Sequence, residues 1–486
     1  MLITGLVLGA ALGFVMQRGR FCVTGFLRDI FTQRSWRGFV ALLIVISVHA
    51  VGLATLTSAG VITPEYNDLA PLAVIIGGVI FGLGIVLAGG CASGTWYRSG
   101  EGLIGSWIAL VFYALSAAAM KTGFLSGVND ALKSRTVELT SIHASLGISI
   151  WPLAIALIAL TAYLAVRFLR EEFSGPRPVT LPPRKSGLAH ILAEKPWHVY
   201  ATAVAVGVLG VIAWPLSAAT GRNDGLGITT PSANLANFVV TGDLERLDWG
   251  ALLVLGILVG SFIAAKASGE FRLRVPDATQ GARSVVGGIF MGVGAAWAGG
   301  CTVGNGMVQT SLFSYQGWLA LASIAAGVAL AAKLWLKPSA PAPSLNDAPS
   351  TSSTNNSTAV SATSPISLPN SDGAAGTEVS PLAGSFAVAP VALLDRDVVK
   401  QDDGKLKPLG NGRYELDTVG AVCPFPLIEA KDAIGKIEIG EELVIPFDCT
   451  QATDAIPRWA AKDGHEVTNF EQTGEAGWTI SVRRGR

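Results

Sequence analysis

Two stretches of the chain carry the same spacing of glycines and end on the same cysteine. Residues 77–91 read GGVIFGLGIVLAGGC, and residues 287–301 read GGIFMGVGAAWAGGC. With an offset of 210, nine of eighteen aligned positions are identical, and the last of these pairs Gly94 with Gly304. Such self-similarity indicates an internal duplication. The fold must therefore place one unit twice, with a Gly–Gly–Cys element at the end of each copy.

The composition places most of the chain in lipid. Hydrophobic residues make up 50% of the 486 residues and charged residues 14%, with a mean hydropathy of +0.49. Soluble domains carry about 25% charged residues. We therefore expect an all-α polytopic membrane protein, with nine helices that cross a bilayer core of about 30 Å. The nine apolar stretches lie near 1–16, 37–60, 70–88, 103–120, 146–169, 198–219, 249–266, 281–298 and 317–336.

The distribution of Lys and Arg predicts the orientation of these spans. The loops at 17–38, 165–197 and 266–284 are richer in Lys and Arg than the loops between them. Positive-inside bias places these three loops in the cytoplasm, together with the C-terminal end, and the N-terminus outside. The first stretch lacks the charged start of a cleavable signal peptide, so we expect it to remain as a span.

The number of predicted spans between the two copies gives them opposite directions across the membrane. The span at 70–88 runs inward and its copy at 281–298 runs outward, which makes the repeat inverted. Inverted repeats with glycine-interrupted helices commonly surround a site near the middle of the membrane. Gly5 and Gly9 weakly resemble Gly256 and Gly260, so we expect the duplication to extend upstream in this register.

Four further segments are too short or too polar to span. They lie at roughly 20–34, 91–101, 226–240 and 301–313. Irregular backbone at membrane depth must be buried in protein or line a wet cavity. We therefore expect short re-entrant helices that point into a central pore.

The C-terminal third differs in composition. Residues 338–394 are rich in Ser, Thr, Pro and Ala and predict a flexible linker. The domain at 395–486 predicts an α/β two-layer sandwich of the order βαβαββ. Its strands are expected at 414–422, 442–447, 466–470 and 478–482, and its second helix at 453–463.

The two Gly–Gly–Cys elements are the first candidate site. In each, Gly90 or Gly300 ends a helix, and Cys91 or Cys301 opens a short one. A helix N-terminus offers free N–H donors and partial positive charge, and glycine lets a ligand approach the backbone. The alternative is close helix packing with cysteine as a small buried hydrophobe. Because the element occurs in two inverted copies, we favour an anion site in a pore.

Three more residues join this site as candidates. Cys22 lies in the segment GRGRFCVTGF, in a predicted re-entrant helix, where its alternative role is core packing. Arg20 and Arg98 are the cations nearest in sequence to Cys22 and Cys91. They are candidates for steering anions, although loop arginines are more often signals of topology.

Cys423 is the candidate in the C-terminal domain. It opens the segment CPFP, and we expect it to cap the first helix with Pro424 at the first helical position. A helix N-terminus favours the thiolate. The sequence places no His or second Cys beside it, so an isolated thiol that carries sulfur as a persulfide is the chemistry we expect. Scattered cysteines are a poor disulfide framework, and Cys449 is expected to be structural.

Both parts resemble known families. The segments DTVGAVCPFP and DAIPRWAAKDGHEV make residues 414–486 similar to the TusA/SirA sulfur-carrier family, whose persulfide cysteine corresponds to Cys423. Residues 1–337 resemble the YeeE/YedE membrane family. This second resemblance implies thiosulfate uptake across a bacterial inner membrane, through pore thiols that correspond to Cys22, Cys91 and Cys301 and that bind by S–H···S hydrogen bonds.

The resemblance leaves rivals open. One is a membrane-anchored sulfurtransferase without transport. Another is transport of a different sulfur or selenium compound, and a third is a channel-like protein regulated by its C-terminal module. No GxxxxGK[ST] motif, metal cluster or nucleotide fingerprint occurs in the sequence, so we expect neither ATP hydrolysis nor a cofactor. The expected partners are thiosulfate, the bilayer and cytoplasmic sulfurtransferases, without nucleic acid.

Overall fold

A computed structural model of the chain describes residues 2–336 and 406–485. The linker predicted at 338–394 lies outside the described residues, as does the start of the domain predicted at 395. The helical part and the C-terminal domain belong to one compact unit, which comprises Met1–Ser339 and Leu406–Arg486.

Long helices alternate with short ones in the first part of the chain. They are α1 (Ile3–Arg18), α2 (Val23–Thr32), α3 (Arg37–Ser58), α4 (Pro71–Leu87), α5 (Ala92–Gly100), α6 (Ile104–Lys121), α7 (Ser126–Lys133), α8 (Ile142–Ser145), α9 (Ile150–Ser174), α10 (Gly187–Ala193), α11 (Val199–Ala218), α12 (Thr229–Thr241), α13 (Trp249–Ser268), α14 (Ala278–Ala298) and α15 (Tyr315–Trp335). A 3₁₀ turn covers Leu244–Arg246 and a π-helical turn covers Gly304–Gln309.

The helices agree with the predicted spans. Eight of them are long and apolar enough to cross a membrane. The one predicted span outside these eight is 281–298, which forms α14. This helix of 21 residues is less apolar because its first turns carry Gln280 and Arg283. The four predicted short segments form α2, α5, α12 and the π-helical turn.

Glycines set the contact between the two copies. A Cβ atom on Gly77 would lie 2.7 Å from the Gly294 oxygen, and one on Gly84 would lie 2.8 Å from the Gly287 oxygen. Gly287 and Gly294 are the copies of Gly77 and Gly84. Each residue therefore meets the copy of the other, which is the signature of a two-fold axis. The early glycine of α4 meets the late glycine of α14, so the copies are antiparallel and the inverted repeat is confirmed.

The upstream register of the repeat was wrong. Helix α1 packs on α13 as α11 packs on α3, and α2 packs on α15 as α12 packs on α6. The counterpart of α1 is therefore α11, not α13. The shared glycines of α1 and α13 arise because these two helices pack against each other closely: a Cβ atom on Gly256 would lie 2.9 Å from Gly9 Cα. With α11 and α12 as the counterparts of α1 and α2, Cys22 before α2 has no cysteine counterpart before α12.

The C-terminal domain is a small mixed sheet covered by two helices. The strands β1 (Leu406–Gly410), β2 (Arg413–Leu416), β3 (Glu442–Phe447), β4 (Glu466–Gly474) and β5 (Gly477–Arg483) form a sheet of order β1-β2-β3-β5-β4. Only β2 and β3 are parallel. Helices α16 (Phe425–Ile434) and α17 (Ala452–Asp463) bury Leu427 and Ile456 in a core shared with Leu443 and Ile480.

This domain differs from the prediction at its start. The sheet gains the strand β1, and the strand expected at 414–422 ends at Leu416. Residues 417–424 instead form a loop, in which Thr418 binds the Pro446 carbonyl at the end of β3. This loop carries Cys423 out of the sheet. Pro424, not Cys423, is the N-cap residue of α16, so the cysteine precedes the cap by one position.

Candidate functional site

Each Gly–Gly–Cys element is an elbow between a long helix and a short helical segment. Gly89 (φ +72°) and Gly299 (φ +79°) turn the chain in the left-handed region just after α4 and α14 end. Residues with a Cβ atom rarely adopt this conformation, which explains the first glycine of each pair. Cys91 then becomes the N-cap residue of α5, and Cys22 holds the same position before α2. Cys301 precedes the π-helical turn.

A polar side chain braces each elbow. Arg98 donates to the Gly89 carbonyl. In the second copy, Asn305 Nδ2 donates to the Ala298 oxygen at 2.8 Å and to the Gly300 oxygen at 3.0 Å. The sequence reasoning missed Asn305. The available sequence signal was a carboxamide side chain four positions after Cys301, directly beyond the apolar span and the elbow.

Two of the three predicted pore thiols meet. Cys22 and Cys91 are almost fully buried, and their thiols interact with each other. Both border Gly94: a Cβ atom there would lie 3.3 Å from Cys91 Sγ and 3.7 Å from Cys22 Sγ. The Cys91 thiol also contacts Ser93 Oγ at 3.5 Å. A pair of buried thiols at two helix N-termini combines sulfur groups with partial positive charge.

Cys301 lies apart from this pair. It is also buried, and no disulfide forms among these three thiols. The phenol of Tyr113 interacts electrostatically with both Cys91 and Cys301, and its hydroxyl donates to Thr229 Oγ1 at 2.9 Å. Cys301 has Lys121 in its surroundings, whereas Cys22 has Arg98 and Arg28.

The two candidate arginines have different positions. Arg98 is 4% exposed and lies between the Cys22–Cys91 thiol pair and the C-terminal domain. Arg20 faces that domain: it donates to Glu270 Oε1 at 3.0 Å and to Thr453 Oγ1. Arg18 lies on the other side of Glu270, at 3.3 Å. Burial opposes the charge of Glu270, but Arg20 and Arg18 outweigh it and hold the pKa of this carboxyl below its usual value.

Several contacts join the C-terminal domain to the helices. A Cβ atom on Gly89, in the first elbow, would lie 2.9 Å from Val422 Cγ1. Arg274, after α13, donates to the Asp448 carbonyl. The Arg458 guanidinium lies 2.8 Å from Glu172 at the end of α9. The loop before Cys423 therefore rests on the elbow that presents Cys91.

Cys423 has a partner that the sequence reasoning missed. Its sulfur is in direct contact with the sulfur of Cys449 as a disulfide pair, and the two Cα atoms are 6.2 Å apart. This separation is within the usual range for a disulfide. The prediction of an isolated thiol was therefore wrong. The two residues are 26 positions apart, and the sheet brings them together because one follows β2 and the other follows its parallel neighbour β3. The sequence could have indicated this pairing, because both cysteines follow strands that were predicted to belong to the same sheet.

Cys423 and Arg98 line the same cavity. Its wall includes residues of both parts of the chain. Among the described residues no group of three His, Cys, Asp or Glu side chains is placed to hold a metal ion. The chemistry available here is that of thiols, guanidinium groups and buried hydroxyls.

Comparisons with known proteins cover both parts. Residues 18–330 match the family model described as "Sulphur transport", and residues 414–484 match "Sulfurtransferase TusA". The chain is 52% identical over 328 residues to the thiosulfate transporter TsuA of Escherichia coli (strain K12), covering 68% of this chain and 93% of that protein. It is 32% identical to the thiosulfate transporter TsuA of Spirochaeta thermophila, covering 66% and 94%. The C-terminal domain is 59% identical over 70 residues to TsuB of Escherichia coli, which is named as a sulfur carrier; the match covers 14% of this chain and 93% of TsuB.

Proposed function

Because the chain belongs to the sulphur transport family and carries a C-terminal TusA domain, we propose that it takes up thiosulfate and delivers sulfur to Cys423. It is a multi-pass membrane protein that transports and carries sulfur. Residues 1–337 form the transport domain and residues 395–486 the carrier domain, joined by a linker at 338–394. The observation that carries the proposal is that the Cys22 and Cys91 thiols both border Gly94, and that Arg98 connects their surroundings to a cavity lined by Cys423.

The thiols suit thiosulfate for an electrostatic reason. Thiosulfate is a dianion with a soft terminal sulfur. A strongly basic site in a low-dielectric environment would bind it too tightly for release. Neutral thiols and helix N-termini attract the anion weakly, and Gly90 and Gly300 keep the path open to backbone donors. We infer the order Cys301, Cys91, Cys22 along the path, from the positions of Lys121 and Arg98 at its two ends.

The orientation follows from the arginines. Arg20, Arg98 and Arg274 all lie at the end of the helices where the carrier domain docks. Positive-inside bias makes this the cytoplasmic side of a bacterial inner membrane, with the N-terminus in the periplasm. Sulfurtransferases of the cytoplasm are then the acceptors of the sulfur that Cys423 carries.

The transfer step needs Cys423 as a free thiolate. A cytoplasmic dithiol first reduces the pair with Cys449, giving two electrons and becoming a disulfide itself, while two protons restore the thiols. The Cys423 thiolate then attacks the terminal sulfur of thiosulfate. The S–S bond of thiosulfate breaks, its electron pair leaves on sulfite, and Cys423 holds a persulfide. Cys449 is expected to act in this redox cycle and not only in packing.

Uptake of radiolabelled thiosulfate into proteoliposomes tests the transport step. We expect uptake by the full-length chain and at least about tenfold slower uptake by Cys91→Ala, a change of more than about 1.4 kcal/mol in the barrier. Ser323→Ala is the matched control, because this buried hydroxyl donates to the Leu319 carbonyl within its own helix α15. Uptake by Cys91→Ala at the wild-type rate would remove the thiol path. No uptake by the folded wild type would favour the anchored sulfurtransferase.

A further inference from the structure

The cavity beside Cys423 has donors that lack acceptors. Ser284 of α14 is fully buried and lines the cavity, and its hydroxyl has no hydrogen-bond partner among the described residues. The Nε atom of Arg274 is also buried without a partner in that part of the chain, although its other nitrogens bind the Asp448 and Glu101 carbonyls. Buried donors of this kind cost about 1–3 kcal/mol each when they remain unpaired. Both donors belong to residues that line the cavity, so a ligand that accepts hydrogen bonds there would satisfy them.

The charges of the cavity favour an anion. Two guanidinium groups, of Arg98 and Arg274, line it from the helical part, against one carboxyl group, that of Glu101. Arg98 and Glu101 are 4% and 2% exposed, so water screens these charges little. Asp448 also lines the cavity, but its Oδ1 accepts from the Gly420 backbone N–H at 3.0 Å. With Glu101 ionised, the two guanidinium groups balance the two carboxylates, and with Glu101 protonated the lining carries a net charge of +1. The cavity therefore favours an anion when Glu101 is protonated.

We propose that this cavity is a second binding site for sulfur oxyanions, separate from the pore thiols, which holds the sulfonate group of thiosulfate before sulfur transfer and sulfite after it. Ser284 and Arg274 donate to the sulfonate oxygens, and the terminal sulfur points to Cys423. Glu101 sets the charge of the site. This inference rests on the proposed function, since it places both the substrate and the product of the same transfer step.

Glu101 is suited to couple anion binding to a proton. Burial raises the pKa of Glu101 to about 7, against the opposing effect of Arg274. The titratable or charged groups that interact with it are Arg18, Arg20, Tyr97, Arg98, Glu270 and Arg274. A dianion in the cavity repels the ionised carboxylate and so favours its protonated form. Binding therefore takes up a proton near neutral pH, and the site holds anions more tightly at pH 6 than at pH 8.

Protection of Cys423 from alkylation measures occupancy of this site. The full-length protein is reduced in detergent and treated with iodoacetamide at increasing sulfate concentration, with ionic strength held constant by chloride. Sulfate is the probe because it carries the sulfonate-like oxygens but no terminal sulfur for transfer. The ratio of the rates with and without sulfate at each pH cancels the titration of Cys423 itself.

We expect sulfate to slow alkylation, with an apparent dissociation constant at least about threefold lower at pH 6 than at pH 8. Glu101→Gln should remove this pH dependence while keeping the protection. Ser284→Ala should weaken sulfate binding about tenfold, the usual loss for a hydrogen bond to a charged group, and Ser323→Ala should not change it. No protection by sulfate, or equal protection in Ser284→Ala and the wild type, would overturn the inference.

The result separates this inference from the proposed function. Protection by sulfate without thiosulfate uptake into proteoliposomes would retain the anion site and reject transport. Uptake without protection would retain transport and reject the anion site.

Discussion

The thiols of Cys22 and Cys91 border the same residue, Gly94, and each cysteine is the N-cap of a short helix. One helix follows α1 and the other follows the first elbow. The inverted repeat supplies only one of these two thiols, because the counterpart of Cys22 is not a cysteine. The thiol pair is thus an asymmetric feature in a two-fold framework.

Gly94 should be the residue that keeps space for a ligand beside the thiol pair. We expect Gly94→Ala to lower thiosulfate uptake several-fold at an unchanged melting temperature, since the new methyl group would lie 3.3 Å from Cys91 Sγ, a tight but tolerable contact. A Cβ atom on its counterpart Gly304 would have no neighbouring atom within 4 Å, so Gly304→Ala is the matched control. Equal uptake by the two variants would show that the thiol pair does not limit the path.

The contact between α4 and α14 should depend on glycine for stability. Gly294→Val is expected to lower the melting temperature in detergent by several degrees, because a Cβ atom would lie 2.5 Å from the Phe81 backbone nitrogen. Overpacking of this kind costs about 1–3 kcal/mol. Gly281→Ala, in the first turn of the same helix, has nothing within 4 Å and should leave the melting temperature unchanged or raise it. A stable Gly294→Val protein would contradict the observed helix contact.

Docking of the carrier domain should depend on Glu172. This carboxylate lies 2.8 Å from Arg458 and 3.1 Å from Arg37. Glu172→Gln is expected to weaken docking by about 1 kcal/mol, which increases deuterium uptake in residues 449–463 about fivefold. The neighbouring Glu171→Gln is the control, since Glu171 pairs with the exposed Arg167 on its own helix. If both variants exchange like the wild type, these ion pairs do not hold the domain.

The pairing of Cys423 with Cys449 predicts a redox dependence. Without reductant, iodoacetamide should leave Cys423 of the wild type largely unmodified, and a dithiol should release it for alkylation. Cys449→Ser removes the partner, so Cys423 should react at the same rate with and without the dithiol. Mass spectrometry of the tryptic peptide gives the modified fraction. Ready alkylation of the wild type in the absence of reductant would show that the pair is not oxidised under those conditions.

The sequence predicted the membrane architecture because the signals were local or repeated. The length of the apolar stretches predicted the spans, and the matched glycines predicted that α4 and α14 are an inverted pair. The upstream register failed because α1 and α13 need small residues to pack against each other. Glycines kept for mutual contact and glycines kept by duplication look the same in a single sequence.

The site was predicted less completely than the fold. Cysteines at helix starts were recognised, because capping positions are visible in the order of residues. The partner of Cys423 and the docking residues Arg274 and Glu172 were missed. These depend on which strand ends lie side by side and on which loop meets which helix end, and such long-range neighbours leave no periodic trace in the chain.

We propose that thiosulfate reaches Cys423 through the pore thiols. The protein is reduced with a dithiol, the dithiol is removed, and thiosulfate labelled at its terminal sulfur is then supplied outside the proteoliposomes. External protease first removes carrier domains that face outward. We expect labelled persulfide on Cys423 of the wild type and at least about tenfold less on Cys91→Ala, while the same variant in detergent, where the cavity is open to solution, is labelled like the wild type. Equal labelling of Cys423 in both proteins inside the vesicles would contradict the claim.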